Sequence, residues 1–193
     1  QGKKLVHASS VSKNGKALIF AGLNGVGISS LGRYLFKNHG YKYNSDNFLL
    51  TDGDKVFAFP ERGRLNKDSI DKLQIKETGN NDVVYGKIQN VFSENEIEKE
   101  ASPDCVFIIS NYSKLNCVEI SNTNGNKSLE GIHRYLKEFP EYTFYSILDT
   151  FPFWNFNNSN LFNESTTFLN LSFPLNWSFD KVYKKILECT STI

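Results

Sequence analysis

Residues 19–35, IFAGLNGVGISSLGRYL, contain three structural signals in a fixed order. An apolar run that ends at Gly22 predicts a buried β-strand. Gly25 and Gly27 follow, and glycine adopts backbone conformations that other residues avoid. Apolar side chains then recur at helical spacing, so the pattern predicts a helix that begins within two residues of Ile28. The chain must therefore fold so that a strand passes through a glycine loop directly into a helix.

The glycine spacing comes close to that of a phosphate-binding loop, G-x-x-x-x-G-K-[ST]. Gly22 and Gly27 are five positions apart and Ser29 stands at the serine/threonine position, but Ile28 replaces the lysine. The backbone N–H groups of such a loop and the positive end of the following helix attract an anion. The predicted phosphate-binding residues are therefore Gly22, Asn24, Gly25, Val26, Gly27, Ile28, Ser29 and Ser30. A glycine-rich turn that binds no ligand is the alternative interpretation.

The strand that enters the loop is predicted over residues 17–22, and a second strand precedes it. KLVHASSV alternates in polarity, as a half-buried strand does. Asn14 and Gly15 predict a tight hairpin turn between the two strands. The helix after the loop is expected to end at Gly40. Short strands up to Pro60 complete a region of mixed α and β structure.

Residues 61–104 differ in composition, because they are polar and charged with weak periodicity. We interpret them as an insertion-like region that contains a short helix near residues 67–73. Residues 105–121 then predict two strands around a turn at residues 111–114.

The carboxyl-terminal part predicts two further helices and a strand. Ser128 is the expected N-cap of the first helix. The aromatic residues over 151–156 fill the core or form a partner surface, and TTFLNLSFPL predicts a strand. The last helix is expected to begin at Ser178. Three of its apolar residues are predicted to be buried: Val182, Ile186 and Leu187.

Composition restricts the partners that this chain can have. A formal net charge of +1 over 193 residues gives no electrostatic basis for binding nucleic acid or an anionic membrane. No segment approaches the roughly 18 consecutive apolar residues of a membrane span, and no signal-peptide core is present. Cys105, Cys117 and Cys189 form no C-x-x-C pair, which argues against a structural zinc site. A disulfide between Cys105 and Cys117 is the alternative, but reduced thiols are expected. A cytoplasmic location is therefore expected.

HASSVSKNGKALIFAGLNGVGISSLGRYLFKNHGYKYNSDNFLL resembles the core of the HPr kinase/phosphorylase family, within the phosphoenolpyruvate-carboxykinase-like group. The matching positions are His7, Gly22, Gly25, Gly27, Ser29, Gly40 and Asp46. The resemblance covers residues 5–65, about a third of the chain. It implies an α/β protein in which residues 1–193 form a single-domain P-loop fold, a mixed sheet with flanking helices, with the polar region at 61–104 as an insertion.

The resemblance also implies ATP and Mg²⁺ as cofactors and phosphate transfer to a serine or a small-molecule hydroxyl. Asp46 would be the general base that takes the proton of the acceptor hydroxyl. His7 would lie near the phosphates as a second catalytic residue. Ser29 and Asp46 would hold the Mg²⁺. Family members often form oligomers, so an oligomer is possible here too.

Two departures from the family pattern bear on activity. Ile28 replaces the loop lysine, and Asn47 replaces the second residue of an acidic pair. Arg62 and Arg64 are candidates to supply the missing positive charge. Three interpretations stay open: a weakened kinase, a catalytically degenerate module that binds a nucleotide or a partner, and a fold with no ligand at this loop. If the kinase is weakened, Ile28→Lys is expected to raise its turnover.

Overall fold

The structure, a computed structural model, describes residues 3–23, 25–59, 64–66, 81–84, 87–90, 92–111, 117–138, 161–174 and 178–190. For residues 64–66, 81–84 and 87–90 it describes the backbone. The short helix predicted near 67–73 and the aromatic loop over 151–156 lie outside the described residues.

The strands in chain order are β1 (Lys4–Lys13), β2 (Lys16–Gly22), β3 (Lys42–Ser45), β4 (Phe48–Thr51), β5 (Val56–Phe57), β6 (Arg64–Asn66), β7 (Asn81–Val84), β8 (Lys87–Asn90), β9 (Glu100–Asn111), β10 (Glu119–Asn122) and β11 (Thr167–Phe173). The helices within these described ranges are α1 (Ile28–His39), α2 (Gly125–Glu138) and α3 (Phe179–Cys189), with a short 3₁₀ helix at Glu94–Glu96. The predicted class, mixed α and β, is confirmed.

The predicted hairpin at the start of the chain is confirmed. β1 and β2 pair antiparallel up to Lys13 and Lys16. The two residues between them, Asn14 and Gly15, have φ of 53° and 75°. A two-residue turn with positive φ at both positions matches the twist of the strands, and Asn-Gly is the sequence that forms it most readily.

The described residues form a main sheet of eight strands, and three neighbouring strands within it run parallel. β9 lies between β2 and β11, and both pairings are parallel. β1 continues the sheet beside β2, followed by β4 and β5, while β3 also pairs with β1. β5 returns to pair with the first residues of β9, so β9, β2, β1, β4 and β5 form a closed circuit of hydrogen-bonded neighbours. The parallel strands place their carboxyl ends at one edge.

Helices cover both faces of this sheet. Alternate residues of β2 point to opposite sides: Leu18 and Phe20 join a cluster with residues of α1 and α3, while Ile19 packs with Leu129 of α2. α1 packs closely on β1, as shown by the overlap that a Cβ at Gly32 would have with the Ser9 hydroxyl. The sheet is thus buried from both sides, as expected where parallel strands form its centre.

Two sequence predictions about the later helices are wrong. α2 begins at Gly125, so Ser128 lies inside it, and Asn124 is the capping residue. The Asn124 Oδ1 accepts a hydrogen bond of 3.3 Å from the Lys127 N–H. In α3, which does begin after Ser178, Leu187 is 38% exposed. Leu187 directly follows Ile186, which is fully buried. Successive helical residues point about 100° apart, so Leu187 is turned away from the core.

The polar region at 61–104 contains strands that the sequence did not predict. β6, β8 and β7 form a separate three-stranded antiparallel sheet, and β9 already begins at Glu100. Pro103 sits within β9 beside a register shift, where Ala17 pairs with Pro103 but Leu18 pairs with Cys105. A proline is tolerated at such a bulge, although proline otherwise argues against a strand.

All three cysteines are free thiols, as predicted, with Cys105 buried and the other two exposed. No helix within the described ranges is both long and apolar enough to cross a membrane.

Candidate functional site

The glycine loop lies at the edge of the sheet where the three parallel strands end. β2 ends at Gly22, which pairs with Ile109 near the end of β9, and Phe173 ends β11. α1 and α3 begin beside this edge, since a Cβ at Gly27 would lie 3.7 Å from Phe173 and 3.8 Å from Phe179. In closed as well as open α/β sheets, ligands bind at the carboxyl ends of the parallel strands, so the predicted loop occupies the expected place.

The loop has the backbone that the glycine spacing predicted. Gly25 and Gly27 have φ of 83° and 98°, which L side chains rarely adopt. No described atom lies within 4 Å of the position that a Cβ would take at Gly25, so no part of the described chain covers the loop at this point. Asn24, also predicted to bind phosphate, lies outside the described residues.

Among the described residues, the start of α1 has no side-chain cap for its first backbone N–H groups. Gly27 is the N-cap, and in the described part of the chain no side chain makes a cap hydrogen bond there. The Leu31 N–H donates to the Gly27 carbonyl at 2.9 Å. The N–H groups that precede Leu31 in the helix therefore have no carbonyl partner within it. An uncapped helix start at a sheet edge can accept an anion.

Ile28 does not take the direction that a loop lysine needs. It is 7% exposed and belongs to the apolar cluster under α1. A Cβ at Gly22 would lie 3.5 Å from the Ile28 Cδ1 and 2.9 Å from a Val26 methyl group. These two side chains therefore pack over the first glycine of the loop, and Ile28 offers an anion its backbone N–H alone.

Ser29 and Asp46 are brought together as the resemblance implied. Ser29 lies in the first turn of α1, and Asp46 lies in the turn between β3 and β4. The Ser29 side chain hydrogen bonds to the Asp46 carboxylate. Ser30, the next loop residue, is half-buried in the same turn of α1.

Asp46 also has a partner that the sequence did not predict. The Arg33 Nη2 lies 3.5 Å from the Asp46 Oδ2, and the two side chains are 1% and 5% exposed. Burial raises the pKa of Asp46 above its ordinary value, while Arg33 and the Ser29 hydroxyl oppose this rise. A raised pKa suits a general base, but the carboxylate is buried against a cation and has little access to an acceptor.

Helical spacing is the one sequence signal that points to Arg33. It follows Ser29 by four residues, so the two share a helical face. A basic residue there looks like an ordinary exposed helix position, and no local pattern indicates that this face is turned inward. The structure shows that it meets Asp46, which lies 13 residues further along the chain.

His7 supports the loop from the neighbouring strand. Its imidazole hydrogen bonds to the backbone of Gly22, and burial lowers the pKa of His7 to about 4. The ring is therefore neutral near pH 7 and supplies no positive charge to a phosphate. The catalytic role implied for His7 stays a prediction, while its contact with the first loop glycine is a structural fact.

The side chains of the two arginines proposed to replace the lysine lie outside the described part of the chain. Arg62 lies outside the described residues, and Arg64 belongs to β6, of which the backbone is described. Their role stays a prediction.

The residues near the loop fit a magnesium ion poorly. Mg²⁺ prefers six oxygen ligands, usually with one or two carboxylates. Here the Asp46 carboxylate already accepts a hydrogen bond from Ser29 and pairs with Arg33. No group of three or more His, Cys, Asp or Glu side chains within the described residues could hold a metal.

Comparisons with known proteins give structural matches but no sequence match. No protein-family model matches the chain, and no curated protein sequence matches it significantly. Among solved structures, the Hpr(Ser) kinase/phosphatase from Coxiella burnetii aligns with 96% of this chain and 98% of its own. The TM-score is 0.45 at 10% sequence identity.

Proposed function

We propose that this chain binds ATP or a related phosphate ligand at its glycine loop, as a catalytically degenerate, HPr-kinase-like P-loop protein. The proposal rests on one observation: α1 begins without a side-chain cap, directly after two glycines with positive φ. Backbone N–H groups and the helix dipole bind a phosphate without a lysine, although less tightly.

Three features oppose efficient phosphate transfer. Ile28 is uncharged and packs into the core. The positive charge that a lysine would direct at the transferred phosphate is therefore missing. By analogy with oxyanion donors, one such charge is worth roughly 3–4 kcal/mol in the transition state. The Asp46 side chain is 5% exposed and paired with Arg33, and Asn47 has no formal charge. We therefore infer binding without significant turnover.

A weakened kinase is the second candidate, and one observation favours it. The Asp46 carboxylate accepts a hydrogen bond from Ser29, and burial raises the pKa of Asp46, as in a general base. A protein or small-molecule hydroxyl would be the acceptor. Asp46 would need to leave Arg33 before it could take that proton.

Calorimetric titration of the purified chain with ATP, ADP, GTP and pyrophosphate tests the binding proposal. Gly25→Ala is the informative variant, and Gly15→Ala is its matched control. Both glycines have positive φ, and no described atom lies within 4 Å of either Cβ position. The two variants should lose similar stability, about 1–2 kcal/mol, but Gly25→Ala alone should weaken binding. No heat with any of these ligands, or equal affinities in both variants, would contradict the proposal.

An ATP hydrolysis assay separates the two candidates. The binding module should show background turnover despite measurable ATP binding. Turnover that disappears in Asp46→Asn would instead support the weakened kinase.

A further inference from the structure

We propose that Arg33 takes the electrostatic place of a divalent cation at this loop, so that the chain binds its phosphate ligand without Mg²⁺. This inference rests on the proposed function and specifies the form of ligand that the site takes. It comes from the poor fit between the residues around Asp46 and a magnesium ion.

The first step concerns the charge of Asp46. Through Ser29 this carboxylate touches the first turn of α1, which is where a bound anion would lie. An unpaired carboxylate there would repel the anion and compete for the positive end of the helix dipole. Active phosphate-binding loops neutralise their acidic residues with Mg²⁺, and the same need exists here.

The second step concerns the cation that meets this need. The Arg33 Nη2 lies 3.5 Å from the Asp46 Oδ2, and the Arg33 side chain is 1% exposed. At such a separation two opposite charges interact far more strongly inside a protein than in water. Arginine keeps its charge at any working pH. The carboxylate is therefore compensated before any ligand arrives.

The third step shows that Arg33 is held in place. Gly32, beside it in α1, lets the helix lie against Ser9 of β1. The guanidinium carbon also lies 5.9 Å from the centre of the Phe92 ring, a cation–π distance. The helix position and the Phe92 ring together place the guanidinium beside Asp46. A magnesium ion at Asp46 would have to approach this fixed positive charge.

The deciding experiment measures pyrophosphate affinity in EDTA and in excess Mg²⁺, with free pyrophosphate corrected for its magnesium complex. The expected dissociation constants agree within about twofold, and Mg²⁺ alone gives no binding heat. Binding that requires Mg²⁺, or that tightens about tenfold or more with it, would overturn this inference and leave the proposed function intact. No binding in either buffer would overturn both.

A variant series tests Arg33 directly. Arg33→Met should weaken metal-free pyrophosphate binding about tenfold or more, and Mg²⁺ should restore part of the loss. Lys37→Met is the control, because Lys37 lies one turn further along α1 and pairs with Glu96 instead, at 3.7 Å. Its metal-free affinity should not change.

The double variant Arg33→Met/Asp46→Asn keeps the test informative if the single variant is too unstable to measure. It removes the carboxylate charge together with its partner, so it should bind metal-free pyrophosphate more tightly than Arg33→Met, or measurably where that variant does not fold. Equal metal-free affinity in the unaltered chain and in Arg33→Met would contradict the role of Arg33.

Discussion

Arg33 of α1 and Asp46 of the β3–β4 turn form an ion pair at 3.5 Å, with side chains 1% and 5% exposed. The pair connects α1, which follows the glycine loop, to the turn between β3 and β4, the two strands that also pair with β1. Removing one member of a buried pair leaves an uncompensated charge, whereas replacing both members with apolar residues is often tolerated.

Arg33→Met is therefore expected to lower the free energy of unfolding by about 3–5 kcal/mol. Arg33→Met/Asp46→Leu should lose less than the sum of the two single variants, because neither charge is left alone in the double variant. Urea denaturation of the unaltered protein, Arg33→Met, Asp46→Leu and the double variant measures this coupling. A loss below about 1 kcal/mol in Arg33→Met would indicate that the pair behaves as an exposed one.

Ile28→Lys is now expected to destabilise the protein rather than to restore activity. The side chain is 7% exposed and lies in the cluster with residues of α1, β2 and β9. A lysine there must lose hydration or displace its neighbours, and it also opposes the helix dipole. We expect a loss of about 1–3 kcal/mol.

Ser30→Lys is the matched control for this prediction, because it meets the same dipole from a half-buried position in the same turn. Its loss should stay below about 1 kcal/mol. Measurable ATP turnover in Ile28→Lys, with unchanged stability, would show that the side chain at position 28 reaches the phosphates.

Gly32→Ala and Gly131→Ala are expected to change stability in opposite directions. A Cβ at Gly32 would overlap the Ser9 hydroxyl, while no described atom lies within 4 Å of a Cβ at Gly131 in α2. The first change should cost about 1–3 kcal/mol. The second should stabilise the protein by about 0.5–1 kcal/mol, because alanine favours a helix over glycine. Thermal denaturation measures both, and a neutral Gly32→Ala would mean that α1 is packed less closely on β1.

Acid should destabilise the protein through His7. The pKa of His7 is about 4 in the folded state, against an ordinary value of 6.5, so the unfolded chain binds the proton more readily. The contribution of His7 to the free energy of unfolding is fully present above about pH 6.5. It is lost as the pH decreases towards 4, and the loss amounts to about 3 kcal/mol. Burial lowers the pKa of His39 too, which adds a loss of the same sign.

His7→Gln isolates the first contribution. Its free energy of unfolding should depend less on pH than that of the unaltered protein over this interval, although it loses the normal contact with Gly22. Parallel curves for the two proteins between pH 6.5 and 4 would contradict the assignment.

Local patterns predicted most of the loop region because its signals are local. Asn14 and Gly15 specify their own turn, and the change of period after Gly27 marks the start of α1 within the predicted limit. Sequence reasoning failed where a distant contact decides the outcome. Arg33 is an ordinary helical arginine until the fold brings it to Asp46.

The remaining misses have similar causes. Serine is a good capping residue, which favours Ser128 as the N-cap of α2, but Asn124 precedes the first turn, where Gly125 packs against Phe168 of β11. The sequence indicates β9 only from Cys105, because Pro103 argues against a strand unless a bulge is present.

The candidate site shows the same division between local and distant causes. The Ser29 hydroxyl and the Asp46 carboxylate do meet beside the loop, as the resemblance implied. The direction of the Ile28 side chain instead depends on core packing that no motif describes.

Amide chemical shifts during a pyrophosphate titration test the central claim most directly, because they report on each backbone N–H separately. The account predicts that in ¹⁵N-labelled protein the largest changes occur at Gly25, Gly27, Ile28 and Ser29, with little change at Gly15. The changes should saturate in EDTA without Mg²⁺. Shifts that are absent at millimolar pyrophosphate, or that concentrate away from the start of α1, would contradict phosphate binding at this loop.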